Sequence, residues 1–127
     1  KDIMVKGIDL PVIDYKKNLG DALNMINRKK LGIVVILKNK FIEGLFTDGD
    51  LRRGMTYLSK QTNLTKLMTK NPLMVNENMP ASKALAIMNE KKITSLLIVS
   101  DKDFKKKNKI KLKGIIHIHL LLKYGLN

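Results

Sequence analysis

Residues 19–37 read LGDALNMINRKKLGIVVIL and residues 81–99 read ASKALAIMNEKKITSLLIV, a gapless echo at an offset of 62 residues. Identical pairs are Ala22/Ala84, Leu23/Leu85, Asn27/Asn89, Lys29/Lys91, Lys30/Lys92 and Ile36/Ile98. Most other pairs exchange one apolar residue for another, as in Met25/Ile87, Ile26/Met88, Leu31/Ile93, Val34/Leu96 and Val35/Leu97. In the first copy Leu19, Ala22, Leu23 and Ile26 recur at i, i+3, i+4 and i+7, which predicts an amphipathic helix. Asn18 is placed to cap its N-terminus, Arg28, Lys29 and Lys30 suit the negative end of its dipole, and Gly32 is expected to break it.

Working outward, Ile33 to Leu37 is a β-branched run, Lys38-Asn39-Lys40 a turn and Phe41 to Phe46 a second strand, together a hairpin. A helix over about 50–59 follows. The second copy repeats the order: a helix over 81–92 entered through Pro80, a strand over 95–100, a long turn, a strand over 112–117 and a helix over 118–124. Short strands over 10–13 and 73–75 precede each first helix. Glu43-Gly44-Leu45-Phe46 returns as Lys113-Gly114-Ile115-Ile116 at an offset of 70, so eight inserted residues fall in the lysine-rich stretch 102–113, expected as a solvated hairpin loop. Upstream, Asp2-Ile3-Met4 is echoed by Lys66-Leu67-Met68. The chain is an α/β (α+β) protein of two β-α-β-β-α repeats, 1–62 and 63–127. Packing the copies about a pseudo-twofold axis would bury sheet faces that one copy leaves bare, and would create two clefts suited to small ligands.

Composition narrows the function. The chain has 127 residues and a net charge of +14, long enough for one domain or two small halves without a metal or disulfide staple. It has no cysteine, which excludes disulfides, thiolate zinc sites, iron–sulfur clusters and cysteine nucleophiles, and is compatible with a reducing compartment. No apolar run approaches the roughly 18–20 residues of a membrane span. Lys1 is not methionine and no apolar leader follows it, so no signal peptide is expected and the chain reads as a piece of a longer protein. The charge invites a nucleic-acid reading. Against it, only Arg28, Arg52 and Arg53 are arginine, aromatics make up 5%, and tryptophan is absent. Lysine enrichment alongside Asn and Ile fits an AT-rich genome, and nucleic acid is not the expected partner. The methionines, Met25 and Met88 among them, sit at core spacing.

The repeat, with Gly44-Leu45-Phe46-Thr47-Asp48-Gly49-Asp50 after its second strand, resembles a CBS-domain pair, or Bateman module. The longer block Ile42 to Arg53 (IEGLFTDGDLRR), with Asp2-Ile3-Met4, Ile93-Thr94-Ser95 and Gly114-Ile115-Ile116-His117-Ile118-His119, is similar to the D-arabinose 5-phosphate isomerase family of KpsF/KdsD/GutQ type. That resemblance implies an N-terminal sugar-isomerase (SIS) domain outside this chain, carrying the catalytic residues. The parent enzyme would convert D-ribulose 5-phosphate to D-arabinose 5-phosphate for Kdo, lipopolysaccharide or capsule synthesis. It implies a cytoplasmic protein, a homodimer of CBS pairs within a tetrameric parent, and a regulatory role for this chain, with Gly125-Leu126-Asn127 as the natural end. No catalytic residue and no cofactor are expected here. The implied regulatory ligand is an adenine nucleotide or a nucleotide-sugar such as CMP-Kdo, and the alternative is an oligomerisation element that binds no ligand.

The ligand residues follow from the motif. Asp50 stands where the family holds a ribose diol, with Thr47 beside it to donate or accept. Gly49 permits close backbone approach where the chain enters a helix, and Arg52 or Arg53 could fork onto a phosphate or carboxylate. Asp48 with Asp50 resembles paired carboxylates, yet no acid/base partner follows. The competing reading is that Thr47 and Asp50 merely cap the helix while the arginines are solvated. The second copy departs, with His117 at the Thr position and Leu120 at the Asp position, and leucine cannot hold a diol. If extended, His117 and His119 share a strand face as metal or anion ligands, but no cysteine or carboxylate completes a metal set, so no metal is expected. The other readings are ligand hydrogen-bonding and ordinary helix-start histidines. Thr94 and Ser95, polar where Gly32 and Ile33 stand, either face the cleft or simply join helix to strand.

Overall fold

The computed structural model describes residues 4–50, 52, 62–123 and 125. Two compact units emerge, one of residues 11–72 and one of residues 1–10 with 73–127.

The first begins with β2 (Val12–Asp14), counting β1 (Met4–Val5) as the first strand of the chain, and continues through α1 (Leu19–Lys29), β3 (Ile33–Lys38) and β4 (Phe41–Thr47). Residues 48–50 and 52 are helical and form α2, so that helix starts two residues earlier than its expected span, most of which lies outside the described residues. A 3-10 turn over Leu64–Lys66 leads to β5 (Thr69–Lys70). The sheet order is β2-β3-β4-β5, with β2 parallel to β3 and the other pairs antiparallel. Asn18 closes a capping box on α1: its side chain accepts from the Asp21 N–H at 3.0 Å, and its own N–H donates to the Asp21 carboxylate at 3.0 Å. The helix ends before Gly32, because Lys30 already turns left-handed at φ 59 and caps onto the Ile26 carbonyl, and Lys92 does the same at φ 57 in the second copy. Leu19, Ala22 and Ile26 of α1 pack with Val34, Ile36, Phe46, Leu64 and Met68. Ile33 and Val35, on the other face of β3, are buried too. The β3–β4 turn is the residue pair Asn39-Lys40, both at positive φ (53 and 74), the twist a two-residue hairpin favours.

The second unit runs β6 (Met74–Asn76), α3 (Ala81–Lys91), β7 (Ser95–Val99), α4 (Asp101–Phe104), β8 (Gly114–His117) and α5 (Ile118–Lys123). Its sheet order is β1-β8-β7-β6. Ala84, Leu85, Met88, Leu96, Ile98, Ile116 and Leu121 form its helix-side core, with Met4 packed against it.

Each repeat therefore acquires a fourth strand that the sequence pattern does not announce. β1 pairs antiparallel with β8 (Met4 opposite Ile116), and β5 pairs antiparallel with β4 (Thr69 opposite Leu45). The segment preceding each copy thus completes the sheet of the other, which gives the Met4/Met68 echo its physical meaning. Gly44 and Gly114 admit these edge strands: a Cβ on Gly44 would stand 2.7 Å from Met68 Sδ, and one on Gly114 would run into the Met4 side chain.

The expected hairpin loop over 102–113 needs correction. Its first turn is helical, capped by Ser100, whose side chain accepts from the Asp103 N–H at 3.0 Å. The Asp103 side chain is mostly buried and accepts from the Lys111 N–H at 2.9 Å while pairing with Lys106 Nζ at 3.0 Å. Those two contacts hold its carboxyl below the usual carboxylate range. Asn76 donates to Asp101 at 2.7 Å, and Glu77 pairs with Lys113 and accepts from the Asp101 N–H. The buried Asp103 carboxylate must be paired, and the more exposed contacts of Glu77 with Asp101 and Lys113 tie the insertion at both ends.

Candidate functional site

The candidate residues fall into two groups, one in each unit. Thr47, the last residue of β4, and Asp50, in the first turn of α2, bond each other reciprocally. The Thr47 N–H donates to Asp50 Oδ2 and the Asp50 N–H donates to Thr47 Oγ1, both at 3.2 Å. This is a capping box, made by the residue types that a ribose or phosphate site also needs. Asp48 and Arg52 form an ion pair at 2.7 Å with both side chains solvent-exposed, which contributes little to stability. Arg53 lies outside the described residues. The strand–helix junction is tied further by the Asp48 N–H donating to the Gly32 carbonyl at 2.9 Å.

The second unit rebuilds that junction with different chemistry. The Ile118 N–H donates to the Thr94 carbonyl at 2.8 Å, the counterpart of the Asp48–Gly32 bond. Thr94 is exposed, and Ser95 opens β7 directly opposite His117 on β8. His117 ends its strand and His119 already belongs to α5, so the two histidines do not share a strand face as the extended reading supposed. Instead the His119 N–H donates to His117 Nδ1 at 3.1 Å, and the rings stand 4.7 Å apart at 59°. With its lone pair at Nδ1 engaged, His117 carries its hydrogen on Nε2 when neutral. Burial, reinforced by the neighbouring His119, pushes its pKa below the usual imidazole value. Leu120 follows, where the first copy has Asp50. Among the described residues no three potential ligands gather as a metal set, and no helix is long and apolar enough to cross a membrane.

Sequence reasoning missed the Ser95–His117 opposition. The offset-62 and offset-70 alignments put Ile33 and Thr47 at the same places, and these two face each other across β3 and β4, so combining the two offsets would have found it.

A family model described as CBS domain matches residues 1–57 and 64–127. Arabinose 5-phosphate isomerase KdsD of Escherichia coli (strain K12) is 39% identical over 127 residues, 98% of this chain and 36% of its own length. The chain thus spans little more than a third of the curated relatives it matches. Among solved structures, CBSX2 in complex with AMP superposes with a TM-score of 0.77 at 21% identity, covering 97% of this chain and 92% of that one. The CBS domain protein PAE2072 from Pyrobaculum aerophilum complexed with AMP gives 0.73 at 15%, covering 87% and 81%. At these identities the likeness concerns the fold.

Proposed function

The chain belongs to the CBS-domain family, matched twice in tandem, and on that premise we propose that it is the regulatory part of a longer D-arabinose 5-phosphate isomerase, sensing a nucleotide or nucleotide-sugar. The observation that carries this reading is the 39% identity to KdsD across 98% of the chain. The two AMP complexes of the same fold support a nucleotide as the class of ligand, and an adenine nucleotide or CMP-Kdo is the specific proposal. The SIS domain would be its attached partner, and control would require that the ligand favour one state of that domain over the other. Thr47, Asp48, Asp50, Arg52 and Arg53 are the proposed ligand residues of copy 1–62, and Thr94, Ser95, His117 and His119 those of copy 63–127.

The test is calorimetric titration of this chain with AMP, ATP, CMP and CMP-Kdo, beside Asp50→Ala. Saturable heat with one of them, weakened at least tenfold by the substitution, is the expected result. A second reading is favoured by the reciprocal Thr47–Asp50 bonds, which already employ both side chains in the fold. On that reading the pair is an assembly element, forming homodimers within a tetramer. No heat and no thermal shift with any ligand, together with concentration-dependent mass in sedimentation, would establish it.

A further inference from the structure

Ser95 Oγ is buried and has no hydrogen-bond partner among the described residues. A buried hydroxyl left unpaired destabilises a fold, and a hydrogen-bonding group from outside the chain would relieve that cost. The equivalent position in the first copy is Ile33, which carries no polar atom, and it faces Thr47, whose hydroxyl is engaged by the Asp50 N–H. In the second copy the same opposed pair is Ser95 and His117. The bond between Ile118 N–H and the Thr94 carbonyl makes the neighbouring pair hydrogen-bonded. Ser95 and His117 are therefore a non-hydrogen-bonded pair, the kind whose side chains approach most closely, with Cα atoms about 4.5 Å apart.

His117 is 9% exposed, and its Nδ1 accepts from the His119 N–H, so one donor, Nε2–H, is left to it. Protonating the ring would set an Nδ1–H against that backbone N–H, two donors facing each other, which keeps the imidazole neutral. No carboxylate or ammonium is hydrogen-bonded to Ser95, His117 or His119 among the described residues. The pair thus offers one fixed N–H donor and one hydroxyl that both donates and accepts, with no charge. Ser95 as a whole keeps partial exposure, so the hydroxyl lies close beneath the surface.

We infer that Ser95 and His117 form a subsite for an uncharged hydrogen-bonding group, a sugar hydroxyl or the polar edge of a nucleobase, and not for a phosphate. This rests on the nucleotide reading above and assigns which end of such a ligand the second copy takes. The substitution of histidine for the motif threonine changes the class of group recognised.

The experiment is NMR of the full chain with 15N-labelled histidine, titrated separately with adenosine, cytidine, AMP, CMP and inorganic phosphate, for wild type and Ser95→Ala. The expected result is a saturable shift of His117 Nε2 with a nucleoside and its monophosphate, the ring staying neutral. Ser95→Ala should weaken both by roughly 3–10-fold, and inorganic phosphate should leave the signal in place. A His117 shift driven by phosphate alone would overturn the inference in favour of an anion site. Nucleotide binding that leaves His117 unmoved and is equal in Ser95→Ala would overturn it while the proposed function stands. Failure of every probe to bind would overturn the inference, while titration with ATP and CMP-Kdo decides the proposed function separately. Since Ser95→Ala deletes one unpaired hydroxyl and keeps the strand, the comparison does not depend on a damaged fold, and His117→Asn, retaining an acceptor for the His119 N–H, provides a second variant.

Discussion

Alanine at position 44 would set its Cβ 2.7 Å from Met68 Sδ and 2.7 Å from the Thr69 carbonyl oxygen, and at position 114 it would meet Met4 and stand 2.9 Å from the Val5 carbonyl oxygen. A methionine tip can swing aside, but a strand carbonyl moves only with its strand. Gly44→Ala and Gly114→Ala should each cost about 1–3 kcal/mol in thermal unfolding. Gly32→Ala, at φ +71 with nothing within 4 Å, should cost only the left-handed penalty of about 1 kcal/mol. Equal losses at all three would show that close approach is not what demands glycine. His117 gives the second residue-level prediction. Its folded pKa lies below that of the unfolded chain, near 6.5. Between those values the unfolded chain binds the extra proton, so the contribution of neutral His117 is full above about pH 6.5 and is lost as pH falls through the folded value. Midpoints of wild type measured from pH 7.5 to 5 should fall more steeply than those of His117→Asn. Parallel curves would mean that this ring does not set the dependence.

Among the elements, the insertion between β7 and β8 is anchored at its middle by one mostly buried carboxylate. Asp103→Ala removes the acceptor for the Lys111 N–H and the partner of Lys106, and the lysine-rich segment beyond α4 should loosen. Cleavage by a lysine-specific protease should then speed up at least several-fold at Lys105 to Lys109, with the far-UV spectrum unchanged, whereas unchanged cleavage would show that Glu77 and Lys113 hold the insertion unaided. The sequence never disclosed this anchor, because in a run of lysines the only trace is Ser100 three residues before Asp103. The long helices and the hairpin of the first copy were legible, since their periods are carried by many residues: Leu19, Ala22 and Ile26 cannot share a face in any other structure. The edge strands were not legible, being two residues each, without a period, and paired to partners far along the chain. The candidate site was half legible. Thr47 and Asp50 could be placed together, but the same oxygen atoms serve a cap or a ligand and their types do not say which. The expected strand over 112–117 and helix over 118–124 already parted His117 from His119, and only the extended alternative, with both on one strand face, fails.

For the whole molecule, 25 basic residues against 11 acidic ones put +14 on a small chain, and that charge repels itself. The midpoint of unfolding should rise between about 10 mM and 150 mM salt as the screening length contracts from roughly 30 to 8 Å. A flat response would show that local pairs such as Lys113–Glu77 already offset the repulsion. A division of the chain at 62/63 leaves 1–62 without β5 and 63–127 without β1, so neither piece holds a full sheet. Each piece expressed alone should be poorly folded, and mixing them should restore the circular dichroism of the whole, whereas two well-folded separate pieces would show that the edge strands are dispensable. The reciprocal placement of β1 and β5 also constrains ancestry. A gene with a single copy would yield a protein with one strand to donate and one bare edge, and two such proteins could satisfy each other only by exchange. Fusing them end to end makes that exchange internal and permanent. Joined in one chain, the duplicates carry different chemistry, threonine and aspartate in one standing where histidine and leucine stand in the other, yet each finishes its sheet with the segment that precedes its sibling.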